Sequence, residues 1–183
     1  MSANEASPLL FLLMDMLALA LVELDDSGNG KKMEPMVRTM HKRLQDMPAE
    51  TPHLDLVRCM ACELSALHWE NVHDWAKVID YSTQALSLAQ TNASRYHNLI
   101  SLGDAHVNCG QVDEGALTYA KGMMNMLEHG EMDWSAGLLL LLSHVLDSIS
   151  ATARPIVIDL IRSWVRGAGQ DSRLLERAIK ANT

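Results

Sequence analysis

Apolar residues recur along this chain at three- and four-residue intervals, in blocks separated by short polar, proline-containing or glycine-containing breaks. The first block, Pro8 to Val22, opens after Ser7 and stops in Asp26-Ser27-Gly28-Asn29-Gly30, which predicts a helix running to about Asp25. A second helix, near Lys32 to Met47, places Met33, Met36, Met40, Leu44 and Met47 in one stripe, with Arg38, Lys42 and Arg43 outside it. Pro48 and Pro52 bracket the next loop. Further helices are predicted over about His53 to Glu70, Asp74 to Gln90, Arg95 to Cys109, Val112 to Glu128 and Asp133 to Ile149. Thr91 to Ser94 reads as a turn, and Gly110 and Gly130 read as stops. An eighth helix begins near Pro155 and is closed by Gly167 and Gly169, and a short ninth covers Ser172 to Ala181. No segment shows a convincing strand alternation. The class is all-α, with about nine helices, and loops this short make sequence neighbours pack antiparallel.

Whether such pairs close into a bundle or stack into an array depends on internal repetition. Leu102-Gly103-Asp104-Ala105-His106 is followed by Gly110-Gln111-Val112-Asp113-Glu114-Gly115 and then by Tyr119-Ala120-Lys121-Gly122. This string resembles a tetratricopeptide repeat, which has a Leu-Gly pair within its first helix, a glycine at the turn and an acidic pair opening the second helix. Gly115 and Gly122 stand where that family usually has alanine. An earlier copy begins near Cys59, with Ala66, Trp69 and Trp75 in the places of Gly103, His106 and Val112. Counting 34 residues on from Gly103 reaches Gly137, the anchor of a third copy whose second half, Ala153 to Val165, departs from the pattern. The resemblance implies a right-handed solenoid of antiparallel helix pairs. Residues 1–183 then form a single domain: an N-terminal helical hairpin at 1–50, a repeat array at 55–165 and a capping helix at 170–183.

The resemblance also implies a concave surface lined by the first helix of each pair, on which a guest polypeptide lies. Carried over by position, the lining is Met60, Glu63, Leu67, Glu70 and Asn71 in the earlier copy and His97, Ile100, Asp104, Val107 and Asn108 in the next. In the third copy it is Glu131, Trp134, Leu138, Leu141 and Leu142. Glu63, Glu70 and Asp104 make that surface acidic, so the expected partner is another protein or peptide, amphipathic and carrying basic residues. The unbroken leucine run 138–142 needs cover on more than one side, from the N-terminal helix, a partner or a second copy of the chain.

Composition sharpens this picture. Leu, Ala and Met dominate the apolar content and aromatics make up only 4%, a mix that favours helices over strands. The net charge of −8 argues against a nucleic-acid binder that neutralises phosphates. The basic cluster from Arg154 to Lys180 is diluted by Asp159, Asp171 and Glu176 and reads as a solvated helix face. Three cysteines make no disulfide framework and suit a reducing, cytoplasmic setting. The run Pro8 to Val22 follows no lysine or arginine, is interrupted by Asp15 and falls short of the roughly 20 residues that a membrane span needs, so a buried helix is expected there.

Catalytic chemistry finds little support. Cys59, Cys62, His68 and His73 give a string suggestive of zinc, but His68 lies about two turns beyond the cysteines on one continuous helix and cannot close a tetrahedron with them. No phosphate loop, nucleophile elbow or dinucleotide fingerprint is present. The expectation is therefore a non-enzymatic protein without metal or cofactor, namely an adaptor or escort chaperone that holds a polypeptide. A regulatory module that senses a peptide or protein and acts on a signalling enzyme or transcription factor is the alternative, and a homo-oligomer is compatible with either.

Overall fold

A computed structural model of the chain describes Leu12, Met16, Ala18 and residues 30–182. The described residues form eight helices and no strands: α1 (Gly30–Gln45), α2 (Leu54–Asn71), α3 (Trp75–Leu88), α4 (Asn92–Asn108), α5 (Val112–Glu128), α6 (Trp134–Ser148), α7 (Arg154–Gly167) and α8 (Ser172–Ala181). Most of the helix expected over Pro8 to Asp25 lies outside them, although Leu12, Met16 and Ala18 are helical. The helices gather into two compact units, 1–89 and 90–183, a boundary that coincides with neither residue 50 nor residues 165–170. Among the described residues, no helix is long and apolar enough to cross a membrane.

Helix starts follow side-chain capping. Asp74, Thr91, Asp133 and Asp171 each accept a hydrogen bond from a backbone N–H in the first turn of α3, α4, α6 and α8. The segment Thr91 to Ser94, expected as a turn, is instead the opening of α4, with Thr91 Oγ1 accepting from the Ser94 N–H at 3.1 Å. A threonine cap reads locally like a turn residue because both uses exploit the same short-range hydrogen bond.

In the first unit the predicted stripe of α1 is buried at Met33, Met40, Leu44 and Met47, while Met36 is half-buried and Val37 beside it is buried instead. Met33, Val37, Met40, Leu44 and Met47 form one cluster with Leu12, Met16 and the α2 residues Leu54, Val57 and Ala61. Helices α2 and α3 then form an antiparallel hairpin. Cys59 near the start of α2 donates to the Ala85 carbonyl near the end of α3, and at the opposite end Lys77 Nζ sits 3.4 Å above the Trp69 ring.

In the second unit α4 and α5 form the corresponding hairpin, and glycines set its spacing. A Cβ built on Gly103 would lie 3.1 Å from the Gly115 carbonyl oxygen and 3.3 Å from the Tyr119 nitrogen. One built on Gly122 would lie 3.2 Å from Leu99 Cβ. The two hairpins turn in the same way. Val72-His73-Asp74 and Cys109-Gly110-Gln111 each return N–H groups to the closing turn of the preceding helix, Asp74 to Trp69 and Gln111 to His106 being the longer-range bonds. Both turns need a left-handed residue, supplied by His73 (φ 60°) in one and Gly110 (φ 79°) in the other, 37 positions apart.

The third pair expected from the sequence is not formed in this way. The close neighbours of α6 are α5 and α8, and those of α7 are α5 and α8 as well. One cluster gathers the inner faces of α5 to α8, including Met123, Leu127, Leu138, Leu142, Ile161 and Leu175. Leu138, Leu141 and Leu142 of the leucine run therefore find their cover within the second unit, and Leu139 and Leu140 stay exposed. Leu12 and Met16, the described buried residues of the N-terminal segment, pack in the other cluster.

Candidate functional site

The outward face of α2 carries Leu56, Met60, Glu63, Leu67, Glu70 and Asn71, a set whose three- and four-residue spacing puts them on one side of the helix. Leu56, Met60 and Leu67 are 40%, 42% and 37% exposed, whereas Val57, Ala61, Cys62 and Ala66 on the other side are buried. Three large apolar groups in one row differ from scattered surface leucines, which need no explanation. Glu63 and Glu70, both half-buried, interleave with them and make the stripe acidic as well as apolar. Every lining position expected on this helix thus falls on one accessible stripe; Leu56 extends it by one turn.

On α4, His97, Asp104, Val107 and Asn108 are exposed and Ile100 is half-buried. They too share a face, opposite Asn98, Leu102 and Ala105, which are buried. Asn108 donates from its side chain to the Asp104 carbonyl at 2.8 Å, which closes the last turn of the stripe.

The third copy needs correction. Leu138, Leu141 and Leu142, expected on the lining, are fully buried, while Leu139 and Leu140 are 43% and 48% exposed. Trp134 is half-buried against the same core, and Glu131 precedes the helix. The cause is register. Gly103 lies five residues before the end of α4 and Ala66 five before the end of α2, but Gly137 lies in the first turn of α6. Aligned by helix ends, the positions that match Ile100, Asp104 and Val107 are Leu140, His144 and Asp147. His144 and Asp147 are exposed, as Leu140 is.

These corrected positions bring three helices of the second unit together. The Tyr119 ring of α5 lies against the His144 ring of α6, with centroids 4.1 Å apart and planes 30° from parallel. Asp104 of α4 is close enough to feel the charge of His144, and it acts in turn on Tyr119. Loss of water holds the Asp104 carboxyl above its ordinary range, an effect that His144 partly opposes. Tyr119 is likewise pushed up, first by burial and then by Tyr96 and Asp104. Neither Tyr119 nor His144 stands out in the sequence; a polar stripe along α6, Ser143-His144 and Asp147, is the signal available there.

Compared with models of known protein families, with curated proteins and with solved structures, the chain matches none. Its function must therefore be argued from these surfaces.

The cysteine–histidine string lies on α2 and in the turn that follows it. Cys59 and Cys62 are buried, and burial pushes the Cys62 thiol up to about 11. His68 is buried on α2, and His73 lies in the turn beyond it. Among the described residues no three His, Cys, Asp or Glu side chains converge as a metal site.

A buried polar link joins α1 to α2 nearby. Ser65 Oγ donates its one hydrogen to the Ala61 carbonyl at 2.7 Å, so at 2.8 Å His41 Nε2 must carry the proton that Ser65 accepts. Burial pushes His41 below its ordinary value of 6.5. The unfolded chain then takes up the second ring proton before the folded chain does as the pH falls. Stability is unaffected by His41 above about pH 6.5 and is lost below it, until the folded state titrates as well. Urea unfolding between pH 7.5 and 5, followed by the α1–α3 signals, is expected to lose less stability in His41→Gln than in the native chain. Equal losses would assign the acid sensitivity elsewhere.

Proposed function

We propose that the protein is a tetratricopeptide-like helical adaptor or escort chaperone that holds a partner polypeptide against the outward faces of its first helices. The observation that carries this reading is the row Leu56, Met60 and Leu67 exposed along α2, interleaved with Glu63 and Glu70. Apolar rows of this kind on protein surfaces mark contacts with another chain. Glutamates set among them favour an amphipathic guest with basic residues, by attraction to its charges and by repulsion of acidic competitors. The face of α4 repeats the chemistry with Ile100, Asp104 and Val107.

The recurrence of an antiparallel helix hairpin, α2–α3 and then α4–α5, supports the helical-repeat reading. Three free thiols, two of them buried, favour a reducing, cytoplasmic setting.

A photo-reactive amino acid placed at Met60 in the native host is expected to capture a defined polypeptide with basic residues. The same group at Gln84, exposed on α3, is expected to capture none of it. Leu67→Asp should abolish the Met60 product while leaving the protein folded. Equal capture from both positions, or capture that Leu67→Asp does not change, would remove the stripe from consideration. A product of twice the chain's own mass would assign the surface to a second copy.

A further inference from the structure

We propose that the segment held on α2 is itself an α-helix, which lies along α2 and meets it with apolar residues spaced three and four apart. This rests on the adaptor reading and adds the conformation of the guest.

The accessible row on α2 runs Leu56, Met60, Glu63, Leu67 and Glu70, in steps of four, three, four and three residues. Steps that average 3.5 residues keep a row on one side of a helix, and each advances about 5 Å along the axis. The row is narrow. Val57, Cys59 and Ala66 on its flanks are buried and Leu64 is half-buried, so a guest meets a line little more than one side chain wide.

Two consequences of this geometry select a helix. A second helix with the same three-and-four pattern repeats its side chains at the same advance, so its residues stay opposite those of α2 along the whole row. An extended chain presents a side chain to one face about every 6.6 Å. From Leu56 to Leu67 the row advances about 16.5 Å in three steps, whereas three steps of an extended chain cover about 20 Å. Register is lost within the length of the row.

The second consequence concerns the guest's backbone. Leu54–Asn71 is helical throughout, so between its first and last turns α2 uses its peptide N–H and C=O groups internally and offers none to a strand. An extended guest pressed on Leu56, Met60 and Leu67 would leave backbone groups with neither water nor a partner. A helical guest bonds those groups to each other. About four turns of it cover the row from Leu56 to Glu70.

The test places a photo-reactive amino acid in turn at Leu56, Met60 and Leu67 of the full chain in its native host, all three exposed. Mass spectrometry of each product then identifies the guest residue that was attached. Against a helix lying along α2, the attachment point is expected to move in one direction, by about four guest residues from the first probe to the second and about seven from the second to the third. An extended guest would move it by about two and about three. Proline placed in the captured segment midway between the attachment points should lower capture at least about tenfold relative to alanine there. A total displacement of about five guest residues, attachment points out of order, or equal capture of the proline and alanine guests would each overturn the helical guest and leave the adaptor reading standing. Attachment to the chain's own sequence would give the row to a second copy and overturn the proposal. No product from any of the three probes would remove both readings.

Discussion

Leu138→Asp is expected to unfold the half of the chain that begins at Gln90, whereas Leu140→Asp, two residues away, leaves it folded. Leu138 is fully buried in the cluster that joins α5 to α8. Replacing it removes a packed side chain at a cost of about 2–5 kcal/mol and places an unpaired carboxylate in an apolar interior, which costs several more. Together these approach the whole stability of a typical domain, about 5–15 kcal/mol. Leu140 is 48% exposed, and a surface substitution of this kind changes stability by about 0.5 kcal/mol or less. Far-UV circular dichroism and the dispersion of α6 amide signals separate the two outcomes. Burial would also raise the pKa of the new aspartate, so Leu138→Asp should regain structure as the pH is lowered toward 5. A folded Leu138→Asp beside an unfolded Leu140→Asp would turn α6 over and restore Leu138 to the lining.

That pair of variants probes the one lining helix whose face the sequence pattern places wrongly. The positions of α2 and α4 are legible because each helix is amphipathic and each ends in the same kind of turn, so counting from Ala66 or from Gly103 gives the same face. Counting 34 residues from Gly103 places the third helix by a glycine alone. Gly137 is indeed buried, and a Cβ there would meet Leu127 Cδ2, but it packs from the first turn of α6. A repeat period carries register only while helix and loop lengths hold, and here α5 is longer than α3 and the loop before α6 longer than the one before α4. The pattern within the helix is the better guide. Leu138, Leu141, Leu142, Val145 and Leu146 follow the spacing of one buried stripe, and Ala136, Leu140, His144 and Asp147 follow that of its opposite. Leucine at 139 and 140 hides that division by making the helix look apolar all round.

The chemistry of the site is legible only in part for a related reason. Asp104 is found because the resemblance to a repeat carries a lining position onto it, one residue after the Leu102-Gly103 pair. Tyr119 and His144 lie 15 and 40 positions further on, and only the close approach of α4 to α5, with α6 against α5, makes them its neighbours. Along the chain, the glycines that permit this approach look like tolerated substitutes for alanine. Their surroundings say they are required, and that leads to a second expected result.

Gly115→Ala is expected to destabilise the α4–α5 hairpin although it improves the helix that contains it. In an exposed helix the change would gain about 1 kcal/mol of propensity. Here the new methyl would stand 2.6 Å from Val107 Cγ2 and 2.8 Å from the Gly103 carbonyl oxygen. The valine, 42% exposed, has room to turn away, but the carbonyl belongs to the backbone of α4 and moves only if the helices part. Overpacking of this sort costs about 1–3 kcal/mol, occasionally more, so the loss outweighs the gain. Val107→Ala in the same chain should therefore recover only part of the stability, because it relieves the first contact and not the second. Gly122→Ala is the comparison: its methyl would approach Leu99 Cβ and the end of Ile100 at 3.2 Å, close enough to push but with a flexible neighbour on one side, so a near-neutral change is expected. Equilibrium urea unfolding measures all four chains. Parting the hairpin also draws Asp104 away from Tyr119, so under conditions where Gly115→Ala is still folded, the Tyr119 and His144 ring signals should shift. A Gly115→Ala chain more stable than the native one, with those signals unmoved, would show that α4 and α5 lie further apart than the glycine contacts require.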